Sequence, residues 1–280
     1  MGGLEFSSAL TYDRPMKRDP SPAFSPPPPS RPPWLAALFV LAASSLAFCV
    51  AAIPPWQSPD EPTHFEYARL LARDGWRSPL RPDPALEEAI IASLSRNDFW
   101  RLVKVSPPER PPRTFLAAPF LCQAPTQIGK NPPGYYLLAA QVLRFCPRQS
   151  LVAQLYCLRL LSALLSLLTV GAVFLCAREA FGGGFFPALA AAAFAAGLPQ
   201  FAVIGGSVSP DPLSNLLGAL FILLTLLERR GPRRRFSGAF LVLLAGLFVS
   251  YKFLILLGAH FLLRLADLVR PPPGHGRRAA

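Results

Sequence analysis

The sequence predicts an all-α integral membrane protein with about six transmembrane helices and a long external first loop containing amphipathic interfacial helices. Three observations carry that prediction. Hydrophobic residues make up 52% of the 280 positions and mean hydropathy is +0.35, an average that soluble domains rarely combine with long uncharged runs. Residues 34–53 are uncharged throughout and match the length of about 20 residues that crosses a hydrocarbon core. From 151 onward, apolar runs follow one another with only short turn signals between them.

The formal net charge of +12 and the pI near 10.2 raise the question of nucleic acid. The basic residues sit at the ends of apolar runs or scattered through one loop, without a stripe interleaved with aromatics. That pattern excludes a nucleic-acid partner in favour of membrane orientation. Among the five cysteines there is no Cys-x-x-Cys pair, which argues against a zinc or dithiol redox site. Cys49, Cys157 and Cys176 read as small hydrophobes in or beside spans. Cys122 and Cys146 share one loop, and pairing between them is left open.

Residues 1–33 are rich in Ser, Pro and charge, end in a polyproline run, and read as a disordered, basic cytoplasmic tail. The 34–53 run reads as a first span or signal anchor, since it is too long for an ordinary signal peptide core. The external loop, 54–150, holds helical patterns at 60–74 and 85–103. Their apolar positions Phe65, Leu70, Leu71, Ile90, Ile91 and Leu94 predict helices lying on the membrane surface. The segment 133–145 is apolar and aromatic but too short to cross, and is predicted to be interfacial or packed among helices. Further spans are expected at 151–176, 185–204, 212–228, 236–250 and 252–268, so the membrane domain covers 34–270, followed by a disordered basic tail at 271–280. With the N-terminus cytoplasmic, Arg178 and the basic stretches 228–235 and 264–278 fall inside, as the excess of cytoplasmic Lys and Arg requires.

The chemistry-bearing residues concentrate at the outer boundary. In Ser58-Pro59-Asp60-Glu61-Pro62-Thr63-His64-Phe65-Glu66-Tyr67, Ser58 and Glu61 have the spacing of a capping box with Pro59 at the first helical position. Asp60 fits either the helix dipole or a general base, because a carboxylate partly shielded from water at a membrane boundary suits proton abstraction. His64 lies four residues on, on the same helical face. In Lys130-Asn131-Pro132-Pro133-Gly134-Tyr135-Tyr136, the two tyrosines read as an aromatic belt, or together with Lys130 as a contact for a lipid-linked phosphate. Arg159, eight residues into an apolar run, is a functional candidate or a snorkelling side chain. Asp211, between two prolines, is a helix cap or a site residue, and Lys252 is a candidate anion contact. Gly182-Gly183-Gly184 follows a span and lacks a Lys-Ser/Thr ending, and neither a Gly-x-Ser-x-Gly elbow nor a His-Glu-x-x-His pair occurs, so nucleotide-driven and hydrolytic mechanisms are unsupported.

Four of these stretches, in order, resemble the membrane glycosyltransferases of the GT-C fold: Pro59-Asp60-Glu61-Pro62-Thr63-His64-Phe65-Glu66-Tyr67, then Asn131-Pro132-Pro133-Gly134-Tyr135-Tyr136, then Arg159-Leu160-Leu161-Ser162-Ala163-Leu164, then Ser209-Pro210-Asp211-Pro212-Leu213. That group includes protein O-mannosyltransferases, aminoarabinose transferases and related bacterial membrane proteins of unassigned function. The resemblance implies a bacterial plasma-membrane protein that takes a sugar from a polyprenyl-phosphate donor at the outer face. Asp60 would then be the acid that activates the acceptor, and Glu61 its neighbour in the motif. Lys130, Arg159 or Lys252 would supply the charge that stabilises the departing phosphate. The resemblance names no cofactor and leaves a divalent metal open. Where the family often carries His, this chain has Asn131, and it resembles only the N-terminal part of such a protein, about six spans, which leaves open a fragment, a truncated gene product or one half of a split enzyme whose partner supplies the C-terminal spans. Membrane lipids and the lipid-linked sugar are the other expected partners. A non-catalytic scaffold or transporter-like subunit in cell-envelope assembly is the alternative reading.

Overall fold

The computed structural model describes residues 33–76, 80–102, 104, 106, 110, 112–117, 126–146, 150–230 and 237–269. Most of the proline-rich N-terminal segment, Cys122 and the tail from 271 lie outside them. Among the described residues the chain is all-helical, with eleven helices: α1 (Trp34–Ala52), α2 (Glu61–Asp74), α3 (Pro84–Arg96), α4 (Phe99–Leu102), α5 (Gly134–Phe145), α6 (Leu151–Ala180), α7 (Phe185–Gly197), α8 (Pro199–Gly205), α9 (Asp211–Arg230), α10 (Gly238–Leu247) and α11 (Phe253–Val269).

Three helices, α1, α6 and α9, are long and apolar enough to cross a membrane. The span expected at 185–204 is instead two helices, α7 and α8, bent by 66° where Leu198 and Pro199 intervene. A proline at the first position of α8 lacks the N–H that a continuous helix needs, which is why the break falls there. Counted as one span, the bent pair brings the number to four. The six expected spans are therefore not all present as full-length helices. Of the last two, α10 has 10 residues, short of a crossing, and α11 is a further apolar helix below that length.

Helix α6 is the axis of the bundle, with α1, α5, α7, α8 and α9 packed around it. Its 30 residues rise about 45 Å, well beyond a hydrocarbon core of about 30 Å, so several turns project past the apolar zone. The bundle closes tightly where α8 meets α1 and α6. A Cβ on Gly205 would strike Leu46 and Ser166, and one on Gly206 would lie 2.9 Å from the Cys49 Cβ. Only a residue without a side chain allows that approach.

The two helices expected on the membrane surface instead turn their apolar faces inward. Phe65, Leu70, Leu71, Ile90, Ile91 and Leu94 are all at most 2% exposed, and all but Leu70 form, with Trp56, Tyr135, Ala139, Leu143, Leu155 and Leu158, the largest core among the described residues. The expected helix 85–103 also divides. Asn97 bonds back to the Ser93 carbonyl (2.7 Å) and Asp98 takes φ 57°, so α3 stops and the short α4 begins. Segment 133–145 becomes α5, packed against α2 and α6. The physical reason is burial: α2 and α3 cover one another and α5, leaving no apolar stripe for lipid. Trp56 ties this layer to the end of α1, donating to Ser93 Oγ (3.0 Å) and meeting Phe65 edge to face at 5.2 Å.

Candidate functional site

The candidate residues gather at the end of the bundle where α1 stops and α2 starts. Arg159, on the third turn of α6, and Glu61, at the first position of α2, are both fully buried. Arg159 Nε donates to Glu61 Oε1 (2.8 Å) and Nη2 to Oε2 (2.7 Å), a planar two-point pairing. Its remaining donors reach the chain leaving α1: Nη1 to the Val50 (3.4 Å) and Ile53 (2.5 Å) carbonyls, and Nη2 to that of Pro54 (2.9 Å). Glu61 Oε1 also accepts from the Val208 N–H (3.2 Å), and Tyr156 places its ring under the guanidinium at 5.4 Å. One buried pair thus joins the end of α1, the start of α2, the axis α6 and the segment before α9.

This geometry corrects the expected capping box. Ser58 Oγ is buried without a hydrogen-bond partner, Glu61 is spent on Arg159, and the helix is entered through Asp60 instead. Asp60 sits at the N-cap with φ 53°, a left-handed conformation, followed by Glu61 and Pro62. The proline takes the start of the helix, where its missing N–H costs nothing, and that shifts the cap from Ser58 to Asp60. Arg159 is neither a snorkelling chain nor an accessible phosphate contact, because its donors are committed to Glu61 and the backbone.

A hydrogen-bonded line runs from Asp60 across to α5. Thr63 Oγ1 donates to the Asp60 carbonyl (2.9 Å) and accepts from Gln127 Nε2 (3.2 Å). Gln127 Oε1 accepts from Asn131 Nδ2 (2.6 Å), which also donates to the Tyr136 hydroxyl (3.2 Å). Tyr136 Oη lies 2.7 Å from His64 Nδ1. With Asn131 donating to Oη, the tyrosine proton is directed to Nδ1, and the imidazole carries its own proton on Nε2. Burial lowers the His64 pKa to about 4, against the raising pull of Asp60 and Asp211, so the ring is neutral at physiological pH. Tyr136 is held by ring stacking on Tyr67 at 4.1 Å, and burial drives its hydroxyl well above the ordinary phenol range.

Tyr135 is fully buried beside it. Its hydroxyl lies 3.4 Å from Ser162 Oγ on α6, and burial pushes its pKa to about 12. The chain enters α5 at Gly134, whose N–H donates to the Phe248 carbonyl at 2.8 Å; a Cβ there would lie 2.5 Å from that oxygen. The close approach brings the 248–252 turn against the start of α5. From that turn Lys252 Nζ reaches Asp211 Oδ1 (2.7 Å) at the start of α9, and both remain partly exposed. Lys130 stands exposed on the turn preceding α5, its N–H donating to the Gln127 carbonyl (3.2 Å).

The structure therefore brings Asp60, His64, Tyr136, Asp211 and Lys252 to one end of the bundle, with Tyr135, Glu61 and Arg159 buried behind them. The arrangement offers a carboxylate at a helix start, a neutral imidazole within its field and an ammonium. Those are the parts needed to take a proton and meet an anionic group. Among the described residues no three of His, Cys, Asp and Glu converge as a metal site.

Three polar participants were not singled out from the sequence: Gln127, Glu66 and Glu87. Gln127 lies in a polar loop without a helical pattern to mark it. Glu66 and Glu87 are almost inaccessible, on α2 and α3. Glu66 Oε1 accepts from the Asp83 N–H (3.2 Å), and Glu87 Oε2 accepts from the Phe115 N–H (2.7 Å). As a carboxylate, Glu66 Oε2 would meet no donor; protonated, it becomes one and bonds Glu87. Burial, then the Glu87 charge, raises the Glu66 pKa to about 8. A signal was available in the apolar spacing around them, since both acids fall on the face that carries Ile90, Ile91 and Leu94 or Phe65 into the core. No protein-family model, no curated protein and no solved structure matches this chain.

Proposed function

We propose that this chain is a glycosyltransferase-like membrane protein, or the part of one that holds the acceptor-activating acid, using a sugar carried on a polyprenyl phosphate at the outer face of a plasma membrane. The observation that carries the reading is the convergence of Asp60, His64, Asp211 and Lys252 at one end of an apolar bundle, with the next residue after Asp60, Glu61, fixed in a buried ion pair with Arg159. In the proposed step, an Asp60 oxygen takes the proton of an acceptor hydroxyl. The acceptor oxygen bonds to the sugar carbon from the face opposite the phosphate, the carbon–oxygen bond to phosphate breaks, and polyprenyl phosphate leaves with the electron pair. Lys252, the most accessible cation of the cluster, meets the departing charge, while Glu61 and Arg159 act as positioning residues.

The test is transfer from polyprenyl-phosphate sugars by the purified full chain in lipid nanodiscs, alone and with C-terminal spans from a homologous transferase supplied. Asp60→Asn is expected to keep helicity and Tm while losing transfer by at least about a hundredfold, the scale of one general base. Equal transfer by Asp60→Asn, or none by the wild-type chain in either arm, overturns the enzyme reading in favour of a non-catalytic scaffold.

A further inference from the structure

Two thiols that the sequence separates lie side by side. Cys146 caps the C-terminus of α5 and Cys157 sits on the second turn of α6, with their sulfurs 3.3 Å apart. By its place in the sequence Cys157 is a small hydrophobe in or beside a span, and pairing of Cys146 with Cys122 is left open. The fold places Cys157 beside Cys146, and Cys122 lies outside the described residues.

The juxtaposition is fixed from both sides. The Cys146 N–H closes the last turn of α5 on the Leu143 carbonyl (3.0 Å), while Gln154, one turn before Cys157 on α6, donates from Nε2 to the Cys146 carbonyl (3.1 Å). A disulfide needs about 2.05 Å between sulfurs, so a movement of about 1 Å, within the reach of a side-chain rotation, joins them. Neither sulfur is sealed away, since both residues are partly exposed. Cys157 is on α6 two residues before Arg159, whose partner Glu61 adjoins Asp60, so the two thiols lie at the end of the bundle that holds Asp60.

We propose that Cys146 and Cys157 are joined as a disulfide in the cell. The inference rests on the outward orientation of this end, because an oxidising compartment is what allows the bond to persist. In the step, each thiol loses its proton and the pair gives two electrons to the disulfide of a thiol–disulfide exchange protein. One S–S bond forms in this chain and the oxidant's disulfide becomes two thiols. The bond ties the far end of α5, which opens with Tyr135 and Tyr136, to α6 two residues before Arg159. It therefore braces the framework behind the acidic cluster without touching it.

The full chain is to be quenched with N-ethylmaleimide in native membranes, digested without reduction and read by mass spectrometry. The expected result is a linked peptide pair joining Cys146 to Cys157, both resistant to alkylation until reduced, with a fall in Tm of about 5 °C on reduction. Cys157→Ser should free Cys146 for alkylation and leave Cys49 and Cys176 as they were. An alkylated Cys146 in the wild type, or one linked to Cys122, overturns the proposal. A second arm exposes isolated membranes to oxidised glutathione. A crosslink that forms only there overturns the cellular disulfide through its compartment, and a crosslink in neither arm overturns it through its geometry. Asp60→Asn leaves this readout unchanged, so failure of the transfer chemistry and failure of the disulfide are separately visible.

Discussion

Arg159 and Glu61 meet in a two-point ion pair with neither side chain accessible, and the guanidinium donors left over hold the carbonyls of Val50, Ile53 and Pro54. A buried pair of this kind is weak evidence of net stability, but breaking it from one side strands a charge. Arg159→Leu and Glu61→Leu are each expected to lower stability by about 3–5 kcal/mol, and the double change Arg159→Leu with Glu61→Leu by much less than their sum. Urea or thermal melts of the four proteins in one detergent measure the coupling. Additive losses would show that the pair does not act as a unit.

Lys252 and Asp211 form the exposed counterpart. Removing the charge in Lys252→Met should cost under about 1 kcal/mol of stability, as partly solvated pairs do. If the ammonium meets phosphate, the same change weakens binding of a short polyprenyl phosphate by about tenfold, and added salt narrows the gap. Unchanged binding in a calorimetric titration would remove Lys252 from the site.

Glu66 makes the protein sensitive to alkali. Its carboxyl holds a proton up to about pH 8 in the folded chain, against about 4.5 for the ordinary side chain. The folded state binds the extra proton, so this contribution is complete below pH 4.5 and is lost as pH rises through about 8. Tm should fall by a few degrees from about pH 7 to about pH 8 and level off above it, a window in which His64 is largely neutral folded or unfolded. Glu66→Gln retains a donor toward Glu87 and should flatten that slope. A slope that survives the substitution assigns it to another group.

The line from Asn131 through Tyr136 to His64 sets the imidazole tautomer. Nitrogen-15 NMR of selectively labelled histidine should show the Nε2–H form at neutral pH, with protonation only near pH 4. Tyr136→Phe removes the donor to Nδ1 and should cost about 1–2 kcal/mol while mixing the tautomers. A pure Nδ1–H signal in the wild type would reverse the assigned direction of the line.

The all-helical character and the apolar spans at α1, α6 and α9 were legible because hydropathy runs are local signals. Span number was not, since composition alone does not separate a continuous helix at 185–204 from one broken at Pro199, nor a crossing from the ten-residue α10. The inward packing of α2 and α3 was hidden for a related reason: an amphipathic stripe reports that a face is buried, not whether lipid or protein buries it. Arg159 was recognised as exceptional, but its partner was not, because Glu61 lies 98 residues away and already had a plausible local task as a capping residue. Pairings across the fold, including Cys146 with Cys157, depend on helix register that no motif encodes.

The left-handed backbone at Asp60 narrows what can occupy that position. Asparagine and aspartate visit this conformation readily and glycine freely, whereas alanine or a branched side chain pays about 1 kcal/mol in backbone strain there. A chain that drifts at this site under selection for folding alone therefore moves among Asp, Asn and Gly, and only selection for charge keeps it at Asp. Variation among homologous sequences at position 60 thus separates a carboxylate retained for its chemistry from one retained for its turn.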